Sequence, residues 1–266
     1  MRIILFLMLS SVISSIEKNS LIWPVKFKSN KDSIANTINQ PNIAGWHYFH
    51  GGTDLLTTTE NWVVSPVKGI VKIGSYIIVH SKDGQYKTHW KNHKNPLYFR
   101  IQITTQDGYV FQLHHINKKT QVVRNNQYVN IGDKLGKVIT WRNRNYTHVH
   151  YNIFSPDGER LNAMYYSKKI DDNIPPVINK IYRDFKYLYI NTYDKIGNNI
   201  VTPSLVCVNT ACYDFRRILK NNINISDIYF KEKTDFNTYV FKFNMRKEFM
   251  NYKIRIEDNE GNYIIK

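Results

Sequence analysis

Cysteine is nearly missing from this chain: Cys207 and Cys212 are the only two among 266 residues. Two thiolates cannot build a cysteine-rich zinc knuckle. In an oxidising compartment a pair spaced this way can close a small loop; a free pair is equally open, because so short a loop needs particular backbone geometry. Acidic residues are also few, 21 against 37 Lys plus Arg, leaving a formal net charge of +16. That excess suits an anionic partner such as nucleic acid, a membrane surface or an acidic wall polymer, or else reflects a Lys- and Asn-rich bias with solvated charge. No dense basic block and no nucleic-acid-binding motif occurs, which ranks nucleic acid low. Long apolar runs are absent beyond the first residues, so no integral membrane segment is expected. Helical periodicity is absent as well, in any window of about a dozen residues.

What is present begins with residues 1–15, which read as a secretory leader. Arg2 is followed by a short apolar run and then by Ser14 and Ser15, small residues of the kind a signal peptidase accepts. The run is too short to span a bilayer. The expectation is an exported chain starting near Ile16.

The rest alternates like strands separated by turn signals, predicting an all-β protein with antiparallel sheets. Residues 62–74 read as two short strands about a Pro/Gly turn, and residues 76–79 as another. Residues 80–96 are polar and rich in Lys, His and Asn, and read as an inserted loop. Asp107 and Gly108 mark a hairpin. Residues 109–116 alternate, with Tyr109, Phe111, Leu113 and His115 on one face. Pro175 and Pro176 cannot continue a central strand, and they place a boundary near residue 172. Beyond it, short strands over some ninety residues suggest a small β-sandwich of immunoglobulin type, residues 173–266, following a larger unit, residues 16–172.

Two motifs carry chemistry. His148 and His150 lie in a stretch, residues 146–154, that reads as a strand. Residues two apart on a strand share a face, so both imidazoles project together. Upstream, His50 and Asp54 stand four apart across a bend marked by Gly51 and Gly52. With one imidazole of the later pair they make three N/O ligands and leave a fourth position for water. That is the composition of a catalytic zinc site, since a structural site is closed by four protein ligands. Other divalent ions also accept such donors.

These two motifs resemble the signatures of the zinc endopeptidases of the lysostaphin/LytM type, peptidase family M23. Trp23, Pro24 and Val25 are similar to the opening strand of such domains, residues 64–71 to their Pro/Gly segment, residues 113–116 to the motif carrying a further active-site histidine, and residues 129–136 to a glycine-marked turn. The resemblance covers roughly residues 21–166. It implies an antiparallel β catalytic domain in which His50, Asp54 and His150 bind Zn²⁺ while His115 and His148 flank the coordinated water. It also implies cleavage of peptide bonds in bacterial peptidoglycan, or alternatively a catalytically silent LytM-like protein that binds wall or activates another hydrolase. An exported basic protein fits an anionic wall. The sequence departs from the pattern at residues 141–145, where bulky and basic side chains replace the usual small ones, at Leu113, where tyrosine is usual, and in the long 80–96 segment.

Other histidines carry blander expectations. His114 should point away from His115, toward a surface or core edge. His80, His89 and His93 should be surface residues, His47 a loop residue with second-sphere support as its sharper role, and Trp46 and Trp141 either groove or packing residues.

Overall fold

The computed structural model describes residues 16–29, 33–42, 48–80, 86–140, 146–219, 225–230, 233–234, 239–244 and 252–266. The leader 1–15, Trp46, His47 and the 141–145 loop lie outside the described residues. The fold is all-β and antiparallel, as the alternation predicts; the two α-helices described, Ala163–Tyr166 and Ile225–Ile228, have four residues each. Among the described residues no helix is long and apolar enough to cross a membrane.

A ten-stranded sheet carries the histidines. Its main path runs through the strands Ile34–Asn36, Thr53–Leu56, His148–Phe154, Val110–His114, Phe99–Thr104, Gly69–His80 and Tyr128–Val129. Alternation explains the centre of this sheet. On His148–Phe154, Val149, Tyr151 and Ile153 turn into the core, where each is at most 1% exposed. Burying such a side chain contributes roughly 2 kcal/mol. The alternate residues His148, His150 and Asn152 take the other face, and a one-residue register slip would turn the histidines into the apolar core in place of Val149, Tyr151 and Ile153.

Two sequence expectations are corrected. The Pro/Gly turn falls where expected, between Trp62–Val64 and Gly69–His80, but residues 76–79 are not a separate strand: Gly69–His80 runs unbroken. Gly74 instead makes room: a Cβ there would lie 3.2 Å from the Trp90 ring. Residues 80–96 are not simply a loop, because Tyr86–Trp90 pairs with Gly69–His80, Tyr76 opposite Trp90. Lys87 and His89 face solvent while Thr88 and Trp90 lean inward, so the segment reads as polar although it is a strand. His89 and His93 are exposed, as expected.

After Pro176 come two four-stranded sheets, one built on Tyr187–Ile196 and one on Leu205–Val208 and Ile254–Glu257. They enclose a second core that includes Leu188, Ile190, Val206, Phe241 and Ile256. The two cores interlock: Ile196 and Val201 join the first, Ile38 and Phe49 the second. Strand Arg160–Leu161 also pairs with Ile218–Leu219. Cys207 and Cys212 face each other across a hairpin and form a disulfide, which closes the question the sequence left open.

Candidate metal centre

Strand pairing assembles the site. Thr53–Leu56 lies beside His148–Phe154 in the register that sets Asp54 opposite His150 and Leu56 opposite His148. His50 sits just before the bend, held by its backbone N–H on the Gln40 carbonyl at 2.8 Å. The bend crosses directly above its neighbour strand, and Gly52 permits this: a Cβ there would meet the Tyr151 carbonyl oxygen at 2.6 Å. Donor atoms of His50, Asp54 and His150 all fall within 4.8 Å of one another. All three side chains are buried.

Asp54 is the hub. Its Oδ1 lies 3.2 Å from His50 Nε2, 2.8 Å from His150 Nδ1 and 3.7 Å from His148 Nε2. Its Oδ2 accepts from Asn36 Nδ2 at 2.8 Å and from the Tyr146 hydroxyl. Asn36 is the cross-strand neighbour of Asp54, so one carboxylate oxygen is tethered and the other is turned to the histidines. Burial alone would raise the Asp54 pKa, but the His50 and His148 charges and the His150 and His50 hydrogen bonds hold it well below the usual carboxylate range.

Backbone carbonyls orient the imidazoles. His50 Nδ1 lies 3.1 Å from the Thr37 carbonyl, His115 Nδ1 2.7 Å from that of Leu97, and His148 Nδ1 2.8 Å from that of Tyr146. A carbonyl only accepts, so Nδ1 carries the proton in each ring and Nε2 is the acceptor nitrogen of the neutral form. His50 then turns a lone pair toward an anionic oxygen 3.2 Å away. Two acceptors at that distance need something positive between them, a proton or a cation. Without a metal it is a proton: burial lowers the His50 pKa, but the Asp54 charge and hydrogen bond and the Thr37 and Gly52 carbonyls outweigh it and raise the value overall. Neutral His150 can satisfy the same oxygen by donating from Nδ1 at 2.8 Å, so His50 Nε2 against Asp54 Oδ1 is the contact that calls for a cation. A buried set of two imidazoles and one carboxylate arranged this way fits a divalent ion of the zinc type.

His115 and His148 stand beside this group, their ring centroids 4.8 Å apart. His115 reaches it by leaving the strand: its φ is +65°, which breaks the alternation that would have put it on the core face with Phe111 and Leu113. His114 keeps the alternation, opposite Phe111 and Leu113, but its face is itself buried, which corrects the surface or core-edge expectation. That residue is 1% exposed, its ring 5.2 Å from that of His150, its Nε2 3.2 Å from Gln112 Oε1 and 3.5 Å from Asn152 Nδ2. Gln112 Oε1 also accepts from Arg100 Nη1 at 3.2 Å. Arg100 is 2% exposed and lies 3.9 Å over the Trp90 ring; burial lowers its pKa to about 10. The sequence reading missed this polar layer, and also Asn36, Thr37 and Tyr146. A period-two reading of residues 110–114 would have placed Gln112 and His114 together.

No protein-family model matches the chain, and no curated protein matches it. Among solved structures, lysostaphin from Staphylococcus simulans, described as an antimicrobial peptidase, is 13% identical, with 95% of this chain and 91% of that chain covered and a TM-score of 0.38. A solution structure of lysostaphin gives 15% identity, coverages of 82% and 80%, and a TM-score of 0.33. A chain from the SpoIIQ–SpoIIIAH pore-forming complex gives 16%, 59% and 95%, and 0.39.

The buried histidines also set a pH response for the metal-free chain. Burial lowers the pKa of His114, His115 and His150 below 6.5, that of His150 to about 4. Unfolded, these groups bind protons near pH 6.5; folded, they refuse them until lower pH. The stability they contribute is therefore present above pH 6.5 and is lost as pH falls toward the folded values. His50, raised, works the other way, and so do Asp172, Asp194, Asp258 and Glu260, whose raised values make the fold gain stability as pH falls through the same window. Asp54, lowered, loses its contribution only below its ordinary value of 3.8. The measurement that isolates the imidazoles is therefore a ring titration by NMR: in metal-free protein the His150 ring should stay neutral from pH 7 down to about pH 4. A His150 ring that takes up its proton near pH 6.5 would contradict its burial.

Proposed function

We propose that the chain is a zinc-dependent endopeptidase that cleaves peptide bonds in bacterial peptidoglycan, in cross-bridges or stem peptides. The observation that carries this reading is the convergence of donors from His50, Asp54 and His150 within 4.8 Å, with His115 and His148 alongside. His50, Asp54 and His150 would hold the ion. Bound there, Zn²⁺ would polarise the scissile carbonyl and lower the pKa of coordinated water from about 16 to about 7. His148, fixed through Nδ1 on the Tyr146 carbonyl, takes the proton of the attacking water at Nε2. It then returns a proton to the amine nitrogen as the C–N bond breaks. While protonated, it also stabilises the anionic oxygen of the tetrahedral intermediate. His115, kept neutral by burial and fixed by Leu97, accepts the second water hydrogen at Nε2 and sets the direction of attack. In this reading residues 16–172 are the catalytic unit, residues 173–266 an Ig-like sandwich that positions it, and the +16 charge draws an exported protein to an anionic wall.

The test is release of new amino groups from purified peptidoglycan. Wild type should release them, and His148→Ala should be slower by about 10²–10⁴-fold while retaining its metal. If wild type and variant are equally inert on several wall types, the enzyme assignment gives way to that of a catalytically silent protein that binds wall or activates another hydrolase.

A further inference from the structure

A second group of metal-ligating side chains lies apart from the histidines. Asp172 precedes the double proline, Asp194 lies on the strand Tyr187–Ile196, and Asp258 opens the turn between Ile254–Glu257 and Tyr263–Ile265. One carboxylate oxygen from each falls within 4.8 Å of the others. Their exposures are 7%, 1% and 1%, and Glu260 beside them is 8% exposed. The chain carries a large excess of cations, yet none of these four carboxylates forms an ion pair among the described residues. Lys169 comes near, but its Nζ donates to the backbone carbonyl of Glu260.

The hydrogen bonds separate one satisfied acid from three unsatisfied ones. Asp194 and Asp258 begin the same pattern, Asp-x-x-Gly-Asn, ending at Asn198 and Asn262. Asp258 uses it fully: Oδ1 accepts from the backbone N–H groups of Glu260, Gly261 and Asn262 at 2.7–2.9 Å, and Oδ2 accepts from Asn262 Nδ2 at 2.8 Å. Asp194 does not. Its Oδ1 accepts from Lys195 N–H alone at 2.8 Å, and its Oδ2 is buried without a partner among the described residues. Asp172 Oδ2 and Glu260 Oε1 are orphaned in the same way. A buried acceptor with no donor is unfavourable, and a buried charge with no counter-charge more so. Two things can relieve the group, protons or a cation. Left alone, burial pushes all four pKa values up, that of Asp172 to about 6 and that of Glu260 to about 7, and neighbouring carboxylates add to this for Asp172, Asp194 and Glu260. The strain is therefore greatest at and above neutral pH, where a cation competes best.

We propose that Asp172, Asp194 and Asp258 hold a calcium ion that joins the segment leading out of the first core to both C-terminal sheets. The donors are all oxygen, which disfavours zinc and the softer metals. Calcium accepts six to eight oxygens at about 2.3–2.6 Å in loose geometry, which suits a set drawn from three separate elements; magnesium demands a near-ideal octahedron. Opposite ligands of a calcium ion stand about twice that bond length apart, consistent with the observed spread. The ion supplies the positive charge that Asp194 and Asp172 lack, and it reinforces an existing seam: Asn262 Nδ2 donates to the Asp172 carbonyl at 3.0 Å, and Asn162 Nδ2 to Asn259 Oδ1 at 2.6 Å.

The experiment uses the full chain, stripped of metal and reloaded with one equivalent of zinc, near pH 7. Calorimetric titration with CaCl₂ should show one calcium site per chain. CaCl₂ at about 100 times its dissociation constant should raise Tm by about 5 °C with the zinc content unchanged. MgCl₂ should give a smaller shift. Asp194→Asn should lose both the calcium heat and the shift while keeping zinc. Because that change removes an unpaired buried charge, the variant should melt no lower than wild type in calcium-free buffer, so lost binding is distinguishable from misfolding. Asp172→Asn is the second variant and should behave alike. A wild type with neither calcium heat nor Tm shift, or an Asp194→Asn chain that binds calcium as wild type does, overturns the site.

Discussion

His150→Ala should purify without stoichiometric zinc and should release no amino groups from peptidoglycan. His150 is one of three protein donors, and its Nδ1 stands 2.8 Å from the Asp54 oxygen that also faces His50. Losing a hydrogen-bonded neighbour of a metal ligand typically costs about 10–100-fold in affinity; losing a ligand outright removes a coordinate bond and costs more. Two donors that remain, His50 Nε2 and Asp54 Oδ1, can then share a proton in place of an ion. The comparison that gives this result meaning is His115→Ala. That ring lies beside the group, 6.3 Å from the His150 ring, and supplies no donor to it. Its variant should keep one zinc per chain and lose rate alone, by about 10²–10⁴-fold. Metal analysis of both proteins, with circular dichroism to verify folding, decides the matter. A zinc-replete His150→Ala chain would mean the ion sits elsewhere, and the proposed mechanism would go with it.

The parts of this molecule legible in the sequence share one property: they depend on near neighbours in the chain. His148 and His150 project together because a strand has period two, and Val149, Tyr151 and Ile153 enforce that face by their burial. Asp107 and Gly108 turn the chain where expected, with Gly108 at φ +89°. Donor chemistry joins His50 and Asp54 to one of the two later imidazoles, but choosing His150 needs the family resemblance, since no local pattern contains the pairing of their strands. The misses have matching causes. His114 reads as a surface or core-edge residue, opposite His115, but its face of the strand is covered, and left-handed His115 turns to the same side. Tyr86–Trp90 was hidden because a hairpin with an exposed face has little apolar signature. Residues 76–79 read as a separate strand, but the chain continues through Gly74 and leaves room there for the Trp90 ring. Asp172, Asp194 and Asp258 come together only through the packing of two sheets and a connecting segment, although the repeated Asp-x-x-Gly-Asn pattern was visible all along.

The two acidic and imidazole clusters follow one physical logic and differ in chemistry. Each gathers buried groups that cannot all keep their charge or lone pairs without a cation. At Asp54 the surroundings are imidazoles, nitrogen donors that a proton or a zinc-type ion can satisfy, and the carboxylate stays ionised. At Asp194 the surroundings are other carboxylates, and the acid is driven toward its neutral form. Which metal each cluster would favour is thereby decided by the neighbours rather than by the aspartate itself. The centres also sit on opposite kinds of support: the first on paired strands within one sheet, the second across elements that only tertiary packing holds in place.

Gly52→Ala should be the most damaging single-methyl addition at the first centre. Gly52 touches no substrate in the proposed mechanism and contributes no ligand, yet it lies between His50 and Asp54. Its added Cβ would stand 2.1 Å from Asn152 Oδ1, 2.6 Å from the Tyr151 carbonyl oxygen and 3.0 Å from His150 Nε2. The Asn152 side chain can swing aside. The Tyr151 carbonyl cannot, because it belongs to a strand flanked by Thr53–Leu56 on one side and Val110–His114 on the other. Relief requires the bend to lift, carrying His50 away from Asp54, or the two strands to part, separating Asp54 from His150. Either movement breaks the donor set. Overpacking of this kind typically costs about 1–3 kcal/mol, so the chain should still fold, with Tm lower by several degrees. Zinc content should fall well below one per chain, and hydrolysis should fall with it. Gly74→Ala is the matched control: its Cβ would approach only the Trp90 ring, at 3.2 Å, which supplies no donor, and it should keep zinc and rate. A Gly52→Ala protein with full zinc content would show that the bend does not hold His50 against its neighbour strand.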